Sequence, residues 1–130
     1  MLRLLSLVAF IALTQTGAQA AGAQDRDDGD FNAFMTQFRR AAEQGDVPAL
    51  AAMTRTPFLY ENRQLDSAAF ARVAVPQLFT AKVRRCMNSA SVHAEGMQRV
   101  VFCPPYAFYF GRSGNAYRLL EFAADGESMP

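Results

Sequence analysis

Gln98-Arg-Val-Val-Phe-Cys103-Pro-Pro-Tyr106-Ala-Phe-Tyr-Phe-Gly-Arg-Ser113-Gly-Asn-Ala-Tyr117-Arg-Leu-Leu-Glu-Phe-Ala123 decides the fold. Three runs rich in aromatic and β-branched residues are separated by Pro104-Pro105 and Ser113-Gly114-Asn115. Such residues fit a pleated, half-buried surface, and Ser-Gly-Asn supplies the positive φ of a tight hairpin. The stretch predicts an antiparallel meander that everything upstream must cover. Counting by twos, Tyr106, Phe108 and Phe110 share one face and Ala107, Tyr109 and Gly111 the other. Leu119 and Leu120 put one leucine on each face of the last strand. A two-residue and a three-residue turn at Ser113-Gly114-Asn115 pair these faces oppositely, and the sequence does not choose between them. One face should meet helices. The other is apolar enough to call for a partner, most simply a second copy of the chain, unless Tyr109, Tyr117 and Arg118 cover it.

Outward from this stretch, 130 residues allow one domain, and half of them are hydrophobic, so a core is expected. Thirteen basic residues face twelve acidic ones, and Arg3 falls in an amino-terminal leader, which leaves twelve of each sign. Without a basic field, nucleic acid and polybasic membrane contact lack an electrostatic driving force. The leader has a short positive start, an apolar run from Leu4 to Leu13 and a small-residue tail ending Ala18-Gln19-Ala20. This predicts a secretory signal over residues 1–20, cleaved after Ala20, and a periplasmic or secreted protein. About ten apolar residues are too few to span a bilayer of roughly 30 Å, so no membrane span is expected after cleavage. In an oxidising compartment Cys86 and Cys103, the only cysteines, form a disulfide. The rival is a reactive Cys86 with His93 as its base, for which the sequence supplies no orienting group.

Residues 21–29 are small and acidic and are expected to form a flexible linker. Asp25 and Asp27 imitate a calcium loop, but Gly29 and Thr36 stand where its later ligands belong. A single domain is expected over residues 30–127. Asp30 is a candidate N-cap for a helix whose Phe31, Phe34, Met35, Phe38, Ala41 and Ala42 recur at helical spacing. Gly45 suits its end, and Asp46 caps a second helix from Val47 to about Thr54. Phe58-Leu59-Tyr60 begins a hairpin around Glu61-Asn62-Arg63-Gln64, and Asp66 or Ser67 caps a third helix that Pro76 stops or kinks. Leu78, Phe79, Val83 and Met87 predict one further helical segment. Asn88 to Gly96, which holds His93, is expected to be a loop.

The stripe Phe31-x-x-Phe34-x-x-x-Phe38-x-x-Ala41, then Gly45-Asp46-x-x-Ala49-Leu50 and Pro57-Phe58, resembles the opening of NTF2-like (cystatin-like α+β cone) domains, especially small exported bacterial members. The resemblance extends to Leu65-x-x-x-x-Phe70 and Leu78-Phe79. It implies an α+β fold with amino-terminal helices packed on a curved antiparallel sheet, and a pocket between them. Phe34, Phe38, Phe58, Tyr60, Phe79, Phe108 and Phe110 are the rings expected to line that pocket. Members of the superfamily include isomerases, dehydratases, transport factors and dimerisation modules, so fold and function separate here.

A pocket enzyme of the isomerase or hydratase type needs a carboxylate base in an apolar hollow beside a tyrosine. Asp66, Glu95 and Glu121 are present with Tyr60, Tyr106, Tyr109 and Tyr117, but Asp66 reads as a helix cap, Glu95 lies in a polar loop and Glu121 can pair with Arg118 or Arg99 on a wet face. His93 with Ser89 or Ser91 lacks a nucleophile elbow, and no metal-binding or Gly-rich phosphate motif accompanies it. No catalytic residue, metal or cofactor is therefore assigned. The leading expectation is an exported, non-enzymatic binding or interaction domain, for a small apolar ligand in the pocket or a protein on the outer sheet face. A pocket enzyme and an immunity-type or structural partner of another exported protein are the alternatives.

Overall fold

The computed structural model describes Ile11 and residues 18–124. Nearly all of the expected leader and the last positions of the expected domain lie outside the described residues, and Ala20 stands in the first turn of helix α1. That helix, α1 (Ala18–Gln44), overturns the expected linker at 21–29, and Asp30 lies inside it instead of capping it. Tertiary contacts override the weak helix propensity of Gly22, Gly29 and the aspartates. Asp27, Asp28 and Asp30 meet arginines of the sheet, and the Gln24 amide donates to Asp28 one turn on at 3.1 Å.

The apolar stripe of α1 is buried as its spacing predicts: Phe31, Met35, Phe38, Ala41 and Ala42 face the core, and Phe34 is half-buried. Gly45, at φ +61°, donates to the Ala42 carbonyl at 3.1 Å and ends the helix. The Arg84 guanidinium packs where a Cβ on Gly45 would stand. Asp46 caps α2 (Val47–Ala52), accepting the Ala49 N–H at 3.2 Å. The chain leaving α2 then runs beside the last strand. The Arg55 N–H donates to the Leu119 carbonyl, and the Leu119 N–H donates to the Met53 carbonyl, both at 2.8 Å.

β1 (Phe58–Tyr60) and β2 (Arg63–Leu65) pair through a two-residue turn, with Glu61 and Asn62 both at positive φ. Asp66 caps α3 (Ser67–Ala69) through the Ala69 N–H at 2.8 Å. A π-helical segment, Phe70–Ala74, follows and leads into α4 (Val75–Leu78). Pro76 thus does not stop the helix. The Val75 N–H reaches back to the Phe70 carbonyl, and this widened turn lies directly before a residue with no N–H to place. α5 (Ala81–Ser89) starts at Thr80, whose hydroxyl accepts the Val83 N–H at 3.3 Å. The single segment expected from Leu78 to Met87 is therefore divided, because Thr80 is a helix cap.

Four antiparallel strands, β3 (Val92–Glu95), β4 (Gln98–Cys103), β5 (Tyr106–Ser113) and β6 (Ala116–Ala124), lie in that order. β3 replaces the loop expected at Asn88 to Gly96. Its polar residues hide a strand because, among the described residues, only one edge is paired, through Val92↔Val101 to Glu95↔Gln98. Ser113↔Ala116 settles the last hairpin as a two-residue turn, with Gly114 at φ +65°. A bulge between Tyr109 and Phe110 pairs Phe108 with Phe122 but Phe110 with Leu119. Tyr117, Leu119 and Phe122 can therefore all join the core, and Leu120 lies over Gly111 on the opposite face. Tyr117 does not help to cover the outer face. That face carries a separate buried cluster of Val100, Ala107 and Tyr109.

The Cys86–Cys103 disulfide is present and ties α5 to the end of β4, with Cα atoms 5.6 Å apart. Helices and sheet enclose one aromatic core and give the α+β architecture that the sequence predicts.

Candidate functional site

The seven rings expected to line a pocket are brought together, but against one another. Phe38, Phe58, Phe108 and Phe110 are fully buried, and Tyr60 and Phe79 are nearly so. Ring centroids lie 5.0 Å apart for Phe38–Phe110, 5.3 Å for Phe79–Phe108 and 5.9 Å for Phe34–Phe38. Phe58 and Tyr60 meet Phe122 at 5.9 and 5.7 Å. These are the separations of packed aromatic pairs. Phe34, Phe38, Phe79, Phe108 and Phe110 form the wall between α1 and the sheet, and Phe58 and Tyr60 pack the small hairpin against β6.

A cleft of about 900 Å³ opens at one end of that wall and is lined by none of the seven. The amino-terminal turns of α1 supply Gln24, Asp27, Asp28, Phe31 and Asn32. The sheet supplies Val92, Gln98, Arg99, Gly111, Arg112, Tyr117 and Leu120, and Met97 and Arg55 stand at its margin. Asp27 and Asp28 reach it because they precede Phe31 by four and three residues, on the same helix face as the apolar stripe. Arg112 and Tyr117 are brought together as a cross-strand pair beside the Gly114 turn.

Asp27 is the hub of the site. Its carboxylate accepts from the Tyr117 hydroxyl at 2.6 Å and from Arg112 Nε at 3.0 Å, and its other oxygen lies 3.3 Å from Arg99. Arg99 donates to Asp28 at 2.7 Å, and Arg112 to Asp30 at 3.1 Å. Both guanidiniums lie over rings, Arg99 at 4.2 Å from the Phe31 centroid and Arg112 at 4.6 Å from that of Tyr117. The Tyr117 hydrogen bond, then Arg112, holds the Asp27 carboxyl below its ordinary value. Burial, then the bond to Asp27, pushes the Tyr117 phenol up. A base poised near neutrality would need the opposite shift. These groups hold fixed charge and orient what lies against them.

The lowered Asp27 value gives this network a pH sign. Its contribution to stability is present above the unfolded value of 3.8 and is lost as pH falls through the lower folded value. Between pH 5 and 3 the wild-type melting temperature should therefore fall further than that of Asp27→Asn. Equal falls in the two proteins would contradict the network.

The other candidates fall elsewhere. Asp66 caps α3, Glu95 and Glu121 are exposed, and Tyr106 donates to the Gln77 carbonyl at 3.5 Å. His93 is exposed on β3, its ring 5.7 Å from Phe102, which is itself 52% exposed. Both cysteines are in the disulfide, so Cys86 is no nucleophile. Among the described residues no cluster of His, Cys, Asp and Glu is arranged to hold a metal ion, and no helix is long and apolar enough to cross a membrane. Comparison with protein-family models, curated proteins and solved structures finds no match.

Proposed function

We propose that the protein is an exported binding domain of the NTF2-like kind, holding a small molecule in the cleft between the amino-terminal turns of α1 and the end of the sheet. The observation that carries this is the contrast between a filled aromatic interior and an adjacent cleft with both apolar and hydrogen-bonding walls. Val92 and Met97 offer apolar surface there, and Gln24, Asn32, Gln98 and Arg55 offer donors. The NTF2-like reading is supported by a long phenylalanine-faced helix lying against one face of an antiparallel sheet. Export is supported by the leader pattern and by the disulfide. The ligand proposed is more polar than the one the sequence alone suggests, since Phe38, Phe58, Phe108 and Phe110 are packed in the core.

Native mass spectrometry of protein recovered from its own compartment tests this. A small molecule should accompany the wild type and be lost from Asn32→Trp, in which an exposed residue of α1 is enlarged to fill the cleft. Recovery of the wild type without a bound molecule, or retention by the variant, contradicts the cleft as the site.

A second reading rests on Phe102, half-exposed beside His93 on the outer sheet face. There the protein docks a protein partner, most simply a second copy of itself. A concentration-dependent dimer in sedimentation equilibrium that Phe102→Asp abolishes is its signature, and a monomer at all concentrations excludes the self-association.

The pocket-enzyme alternative draws on the Tyr117–Asp27 pair, but a carboxylate held ionised between two arginines is a weak base.

A further inference from the structure

We infer that the cleft takes an organic anion, a carboxylate carried on an apolar body, and that Asp27 and Asp28 of α1 occupy its place as a built-in competitor. This rests on the ligand-binding role proposed above and names the ligand class and the regulation of that site.

The receiving groups belong to the sheet and are fixed before any ligand arrives. Arg99, Arg112 and Tyr117 stand on three adjacent strands, with Arg112 and Tyr117 directly paired. Their donors converge on one carboxylate: the Tyr117 hydroxyl at 2.6 Å, Arg112 Nε and Nη2 at 3.0 and 2.9 Å, and Arg99 at 3.3 Å. Two forked guanidiniums and a phenol constitute a carboxylate receptor. Stacking of Arg99 on Phe31 and of Arg112 on Tyr117 holds both forks in place.

The carboxylates now in that receptor belong to a segment that, among the described residues, has little else to hold it. Among the residues of α1 whose burial is described, the first buried apolar side chain is Phe31, whereas Ala23, Gln24, Asp25, Arg26, Gly29 and Asp30 are exposed. Gly29, with open space around its Cα, weakens the helix at the junction between the two parts. A third guanidinium, Arg55, lines the same cleft and makes no ion pair among the described residues. Three arginines, Arg55, Arg99 and Arg112, stand against Asp27, Asp28 and Asp30, so the charges balance while the helix is docked and turn positive for an incoming anion when its aspartates are displaced. Val92 and Met97 provide the surface for its apolar body.

Calorimetric titration of the full oxidised protein at low salt tests this, with octanoate as the probe and octan-1-ol as its uncharged counterpart. Octanoate should bind about tenfold more tightly than octanol, and 0.5 M NaCl should erode the difference. Asp27→Asn/Asp28→Asn should tighten octanoate by about tenfold, since a competitor lowers apparent affinity by the fraction of sites it leaves open. Arg55→Gln should weaken octanoate and leave octanol unchanged. If the double variant does not fold, Asp28→Asn alone reads the same effect.

Equal affinities for octanoate and octanol overturn the anion assignment, as does the absence of binding by either. Octanoate affinity no higher in the aspartate variants overturns the competitor. Asn32→Trp separates these failures from that of the proposed function. If it abolishes binding of both probes while charge makes no difference, the cleft remains the binding site and only the anion is lost. If both probes bind it as they bind the wild type, the two proposals fall together.

Discussion

Phe38→Ala should lower the free energy of unfolding by about 3–5 kcal/mol, the range for an aromatic ring deleted from a core that cannot close over the gap. The ring is fully buried and meets three others, Phe34 at 5.9 Å, Phe79 at 5.9 Å and Phe110 at 5.0 Å. It therefore joins α1 both to the segment after α4 and to the centre of β5, and its neighbours belong to separate elements that cannot all move inward. Phe34→Ala, at a half-buried position of the same helix, should cost less. Urea denaturation of both variants measures the two losses. An unchanged midpoint for Phe38→Ala, or a greater loss for Phe34→Ala, would contradict the packing of α1 on the sheet.

Breaking the Cys86–Cys103 link should cost about 3 kcal/mol, which the chain-entropy relation gives for a loop of this size. The two residues are 17 apart in sequence, and the bridge fastens α5 to the end of β4. Val83 and Met87 of α5 remain buried without it, so the reduced protein should keep its fold but unfold at lower denaturant. The comparison is between the oxidised protein and Cys86→Ser/Cys103→Ser, with reductant as a second route to the same state. Equal stability of the two forms would show that the bridge adds nothing to the folded state.

Much of this architecture was legible in the residues. The helical spacing of Phe31, Phe34 and Phe38, the caps at Asp46 and Asp66 and the alternation along β5 are local signals, and the structure preserves them. What was hidden depends on partners distant in sequence. β3 is polar because it is an edge strand, and its pairing with β4 supplies what its composition does not. The bulge at Tyr109/Phe110 slips the last hairpin by one residue, so counting by twos across Leu119 and Leu120 cannot place Tyr117.

The cleft was least legible. Asp27, Asp28 and Asp30 lie in a glycine-containing acidic stretch with the composition of a linker, and their partners Arg99 and Arg112 are 70 or more residues away. One signal was available. Extending the period of the α1 stripe backwards by one turn puts Asp27 and Asp28 on the face that carries Phe31, a position unusual for a solvated linker. The packing of the seven rings against one another was hidden for a related reason. Helical spacing says which side of α1 is covered, and only the sheet's own side chains decide whether space is left beneath it.

The most direct test of the account is to follow backbone amide and aromatic ring resonances during titration of the oxidised protein with octanoate. Shifts confined to Asp27–Asn32, Gln98–Arg99, Gly111–Arg112 and Tyr117 are expected. Shifts centred on the rings of Phe38, Phe79 and Phe108, with the cleft resonances still, would place the ligand inside the aromatic wall and contradict the account.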